Sequence, residues 1–109
     1  MLSTHVLDTA TGRPAAHIAV TLYAVDGGSR TLVATSETND DGRTAAPLAD
    51  SPTRGMYELI FSVAPYFAAQ NVAAFYDEIT IRFRVDDVTR KYHVPLLLSP
   101  WGYSTYRGS

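Results

Sequence analysis

The chain has 109 residues, a formal net charge of −2, 46% hydrophobic residues and no cysteine. Those values describe one globular domain over residues 1–109 and exclude a disulfide scaffold or thiolate chemistry. No run of Lys or Arg invites nucleic acid or an anionic membrane surface, and no apolar run approaches the roughly 18 residues of a membrane helix, so neither is expected as a partner.

Short strand-like segments recur along the chain, separated by turn clusters. Leu2 to Leu7 reads as a first strand, ended by Asp8-Thr9-Ala10-Thr11-Gly12. From Ile18 to Tyr23 a period of two puts Ile18, Val20 and Leu22 on one face. Asp26-Gly27-Gly28-Ser29 predicts a hairpin loop, Leu32 to Glu37 its partner strand, and Asn39-Asp40-Asp41-Gly42 a second turn. Residues 45 to 55 carry two Pro and a Gly and read as a loop. Tyr57, Leu59, Phe61 and Val63 then alternate with Glu58, Ile60 and Ser62.

The β pattern breaks over Pro65 to Phe75. Pro65 suits a first helical turn and the run Phe67 to Ala74 is rich in Ala, so one short helix is expected there. Ile79, Ile81, Phe83 and Val85 alternate with Thr80, Arg82 and Arg84, a strand with one wet face. Tyr92 to Leu98 is strongly apolar, and Ser99-Pro100-Trp101-Gly102 turns the chain toward a short last strand over residues 103 to 106. The expected architecture is all-β: seven or eight strands and one helix, with two antiparallel sheets packed face to face.

Chemistry at neutral pH favours His, and there are three: His5, His17 and His93. No Cys and no His-x-x-x-His helix is present, so neither a metal nor a cofactor is expected. His5 shares a face with Ser3 and Leu7; if Val6 faces the core, His5 faces outward or into a groove. A strand His of this kind is more often a surface residue than a catalyst. His93 shares a face with Pro95 and Leu97, opposite Tyr92, Val94, Leu96 and Leu98, so both faces of this strand are largely apolar. Such a strand needs a cover on its second face, and a second subunit is the natural source in so short a chain. A buried imidazole there would stay neutral, as a general base must; the alternative is a core His bonded to backbone. Pro95 also interrupts the ladder.

His17 reads as an edge or surface residue. Arg43, after the Asp40-Asp41-Gly42 turn, is either a solvated side chain or a fork of donors for a carbonyl-rich ligand or a developing oxyanion. The tail Tyr103 to Ser109 follows the apolar strand through one Pro-Trp-Gly turn, so it can fold back beside His93 rather than fray.

At these residues a resemblance appears. His5-Val6-Leu7-Asp8-Thr9 followed by Gly12-Arg13-Pro14-Ala15, then Asn39-Asp40-Asp41-Gly42-Arg43, then Phe67-Ala68-Ala69-Gln70 with Phe75-Tyr76, resemble successive motifs of the transthyretin-like family. The segment from Tyr92 to Ser109 matches most sharply. Within that family the hormone carriers lack a Tyr-Arg-Gly-Ser ending and the 5-hydroxyisourate hydrolases have it; this chain ends Tyr106-Arg107-Gly108-Ser109. The chain departs from the pattern at His17, Asp77 and Lys91, where relatives often carry Gly, Pro and His. Lys91 removes one imidazole next to the site strand.

The resemblance implies a sandwich of two four-stranded antiparallel sheets with one short helix. It implies a homotetramer with active sites in clefts across a subunit interface. It also implies hydrolysis of 5-hydroxyisourate, a product of urate oxidation whose ring-opened form goes on to allantoin. The family's motif falls on His5, Arg43 and His93 as catalytic residues, with Arg43, Tyr106 and Ser109 binding substrate, and with no metal or cofactor. The opening Met1 to His5 lacks the basic and apolar regions of a secretory leader, and the ending is no peroxisomal signal, so the expected location is cytoplasmic. Two rivals stand beside this reading: a carrier using the same scaffold, and a β-sandwich interaction module.

Overall fold

The computed structural model describes residues 1–108. In chain order its elements are β1 (Leu2–Asp8), β2 (Arg13–Pro14), β3 (Ala19–Asp26), β4 (Ser29–Glu37), β5 (Gly55–Ser62), α1 (Ala64–Ala68), β6 (Glu78–Val85), β7 (Tyr92–Leu98) and β8 (Tyr103–Thr105). They form two four-stranded sheets, ordered β2-β1-β7-β8 and β4-β3-β5-β6. The two apolar faces meet in one core. Leu2, Val6, Leu96 and Leu98 from the first sheet and Val20, Leu22, Leu59, Phe61 and Ile79 from the second are 2% exposed or less. These side chains are large and fully desolvated, and at about 1.5–3 kcal/mol each they supply most of the drive to close the sandwich.

The alternation read from the sequence places the expected apolar sets inward in β3, β5 and β6, whereas β4 buries no residue. Ile18, Val20 and Leu22 are all buried, as are Tyr57, Leu59, Phe61 and Val63. In β1 the burial alternates residue by residue, with Leu2, Thr4, Val6 and Asp8 inward and Ser3, His5 and Leu7 on the outer face.

Two expectations are corrected. The sheets are not wholly antiparallel: β1 and β7 run parallel, in a register that sets Ser3 beside His93 and His5 beside Pro95. The segment between these strands crosses to the second sheet and returns to the same end, and periodicity within a strand carries no information about that route. The helix is also shorter than its Ala-rich run suggests, ending at Ala68. Asn71 adopts a left-handed backbone (φ 57°), and the N–H of Val72 returns to the carbonyl of Phe67, so the chain turns away before Ala73 and Ala74. Tertiary anchoring decides this: the N–H of Phe75 donates to the carbonyl of Pro100, 2.8 Å away, and a small Ala preference for helix does not outweigh it.

Two polar links hold the rim of the first sheet. The buried Asp8 carboxylate accepts from the N–H groups of Ala10 and Thr11 and from the hydroxyl of Tyr66, which ties α1 to the end of β1. The hydroxyl of Thr38 accepts from the N–H of Ile18 and donates to the carbonyl of Ala15, so no buried backbone polar group is orphaned there.

Candidate active site

The outer face of the first sheet collects three of the polar residues singled out above, His5, Arg43 and His93. Asn39 builds the turn that delivers Arg43: its side-chain oxygen accepts from the N–H groups of Asp41 and Arg43, and its carbonyl from the N–H of Gly42. Gly42 then passes against β1, its carbonyl accepting from the N–H of Val6. Its φ is +74°, and an added Cβ would lie 2.4 Å from the carbonyl oxygen of Val6 and 3.2 Å from Cδ2 of His5. Only glycine combines that backbone angle with so close an approach. As a result Arg43 forms an antiparallel bridge with His5.

On the other side of β1, the parallel pairing places His5 beside Pro95 and Ser3 beside His93. The tail completes the next position. After β8 pairs with Leu96 to Leu98, the chain stays in register, and Gly108 bridges His93 with its N–H donating to the His93 carbonyl at 2.7 Å. The tail therefore folds back beside His93. One row of the ladder reads Arg43–His5–Pro95 and the adjoining row Ser3–His93–Gly108.

Both imidazoles are half-buried and Arg43 is exposed. Ser3 Oγ lies 2.9 Å from His93 Nδ1. Burial holds His93 below the ordinary imidazole range, and the nearby Arg43 guanidinium and then His5 push it further the same way. That direction favours the neutral ring, the form able to accept a proton. A shallow depression of about 160 Å³ opens beside this set, lined by Ser3, Arg43 and the 44–47 loop.

The sequence-predicted residues are not all gathered in one place. His5, Arg43 and His93 converge. His17 stands apart, largely exposed and 2.9 Å from the Glu37 carboxylate. Tyr106 is exposed and lines a larger cleft, of about 370 Å³, between the edges of β6 and β8, together with Arg107 and Tyr92. Arg107 turns to that side, its guanidinium 4.7 Å over the Tyr92 ring. This cleft is the roomier of the two, but His5, Arg43 and His93 do not line it. Ser109 lies outside the described residues.

Ser3 and Gly108 contact His93 and were not singled out by spacing. Ser3 shares the face of His5 in the alternation, but only the parallel register sets it opposite His93. No group of three or more His, Cys, Asp or Glu suited to a metal exists among the described residues. The site itself offers two imidazoles and a guanidinium, and a guanidinium is not a metal ligand.

A family model for the HIUase/transthyretin family matches residues 2–108. The chain belongs to this family. Among its relatives, the 5-hydroxyisourate hydrolase of Deinococcus radiodurans is 54% identical over 113 residues, an alignment covering 99% of this chain and 95% of the relative. Klebsiella pneumoniae 5-hydroxyisourate hydrolase superposes with a TM-score of 0.83 at 35% identity, over 99% of this chain and 98% of that one. Sea bream transthyretin in complex with thyroxine gives a TM-score of 0.91 at 26% identity, covering 98% of this chain and 93% of the other. The same scaffold is thus found in a 5-hydroxyisourate hydrolase and in a transthyretin in complex with thyroxine.

Proposed function

We propose that this chain is a 5-hydroxyisourate hydrolase acting in urate degradation. The observation that carries the reading is the convergence of His5, Arg43 and His93 on one sheet face, supported by 54% identity to a hydrolase of that name. A carrier needs a ring-sized apolar slot; it has no use for a depressed imidazole beside a guanidinium.

The proposed chemistry is a water addition. The neutral His93 imidazole takes a proton from water, the oxygen attacks a ring carbonyl of the substrate, and the ring C–N bond breaks with the proton passing to the leaving nitrogen. Arg43 receives the carbonyl oxygen as it gains charge. His5, in the neighbouring outer-face row of the ladder, lies beside His93 and helps shape the site around it. Tyr106 and Ser109 complete the substrate-binding set in this reading. The base must be unprotonated, and the His93 value is depressed. The rate should therefore persist into weak acid and fall only below the ordinary imidazole range.

The test is a spectrophotometric assay on freshly generated 5-hydroxyisourate. Protein should accelerate its decay, and a chelator should leave that acceleration unchanged, because the proposed steps call only on two imidazoles and a guanidinium. Decay at the uncatalysed rate would end the hydrolase reading. Chelator inhibition reversed by zinc would end its metal-free form.

The assembly belongs to the same proposal. Leu7 and Leu97 pair with each other in the outer-face row next to His5 and Pro95 and remain half-exposed, with no described element laid over them. We expect a homotetramer whose subunits close the shallow depression into a cleft. Light scattering should return four times the mass of the 11.9 kDa chain; a stable monomer at micromolar concentration would remove the interface site.

A further inference from the structure

The His93 ring is held at both of its inner edges. Nδ1 lies 2.9 Å from Ser3 Oγ. On the opposite edge the chain passes so close that a Cβ on Gly108 would stand 2.6 Å from Cδ2. Nδ1 and Cδ2 are the ring atoms bonded to Cγ, so Nε2 is left at the outer end of the ring. Nε2 has no hydrogen-bond partner among the described residues. The Ser3–His93 contact is not a chance meeting of mobile side chains, because the two residues are paired across the parallel strands and both are half-buried.

We propose that Ser3 is a positioning residue: its hydroxyl oxygen accepts the Nδ1–H of His93 and so holds the ring in the tautomer whose Nε2 lone pair is free to take a proton. A serine hydroxyl can donate or accept, and the surroundings decide between the two. If Ser3 donated to Nδ1, the proton would sit on Nε2, at the open end of the ring and in the field of Arg43, which carries only donors. A bare Nε2 is the better partner for that field. The same Nδ1–H bond also persists and strengthens once Nε2 gains its proton, because a charged donor bonds more strongly than a neutral one. Ser3 thus does for His93 what an orienting third group does for a catalytic base, without adding a negative charge. The groups facing this ring are Ser3 and His5 on β1, Arg43 beside it, and Gly108 on the tail. Lys91 shares the outer-face parity two residues upstream, and Arg107 lies on the other side over Tyr92.

The use of this tautomer in turnover rests on the hydrolase reading, but the tautomer can be observed without turnover. The experiment is nitrogen-15 spectroscopy of histidine-labelled, assembled protein, with His93 assigned from its loss in His93→Gln. It is read beside steady-state hydrolysis for wild type, Ser3→Ala and Ser3→Thr. Wild type and Ser3→Thr should show Nδ1 protonated and Nε2 bare, and Ser3→Ala a mixture of tautomers. Hydrolysis should fall about tenfold in kcat for Ser3→Ala, the worth of one hydrogen bond to a charging group, with KM little changed and Thr restoring the rate. A wild-type spectrum with the proton on Nε2, or Ser3→Ala matching wild type in both spectrum and rate, would overturn the proposal. If the spectra behave as stated while wild type leaves 5-hydroxyisourate untouched, Ser3 keeps its role and the hydrolase reading falls.

Discussion

His93→Ala and Arg43→Ala should each slow hydrolysis of 5-hydroxyisourate by about 100-fold or more. Loss of an acid–base group typically costs about 10²- to 10⁴-fold, and loss of an oxyanion partner about 10²- to 10³-fold. The two variants should differ in their pH profiles. Arg43 lowers the His93 value through its charge, so Arg43→Ala raises it, and the acid limb of whatever activity remains moves to higher pH. His93→Ala removes that limb's principal titrating group. Neither side chain is part of the core, since His93 is half-buried and Arg43 exposed, so the melting temperature should change little. His17→Ala is the control, because His17 is paired with Glu37 away from the site. Equal damage from His17→Ala would show that the site has been assigned to the wrong imidazoles.

The tail prediction is of similar size. Ending the chain after Thr105 keeps β8 and the 2.7 Å bond from the Thr105 hydroxyl to the Pro95 carbonyl. It removes the Gly108 bridge to His93 and the Arg107 guanidinium over Tyr92. Tyr106 is 58% exposed, so little apolar burial is lost and the stability cost should be modest, on the order of 1–3 kcal/mol. The shortened protein should fold and assemble yet hydrolyse poorly, since one wall of the His93 seat is gone. Gly108→Ala is the finer version. The Cβ at 2.6 Å from Cδ2 forces the ring or the tail to move, and a loss of about tenfold or more is expected, given how steeply rate depends on placement of the reacting group. Steady-state rates beside thermal melts separate the outcomes. Full activity in the shortened chain would mean that the tail merely lies beside the site, leaving His5, Arg43 and His93 as the whole of it.

Much of this site was legible in strand periodicity. A period of two tells which side of a sheet each residue takes, so it set His5 opposite Val6 and His93 opposite Tyr92 and Val94, and β1 and β7 bear this out. The Asp-Gly turn signal marked where Arg43 begins, and the short Pro-Trp-Gly connection marked a tail able to return. The split between hydrolase and carrier was legible only through the resemblance at Tyr106 to Ser109, because no spacing rule distinguishes the two on the same scaffold.

What the sequence by itself determined is therefore the facing of each strand: one apolar set for the core, and a polar set left on the outer side. What only the tertiary structure decided is which strands meet and in what direction. The parallel β1–β7 pair, the Ser3–His93 contact across 90 positions of chain, the bridge from Arg43 to His5 and the early end of α1 all depend on partners distant in sequence. A residue's own neighbours specify its side of a sheet through the pleat. The hydrogen-bonding edge it shares with another strand is specified by how all the apolar faces pack at once, and no local window contains that information.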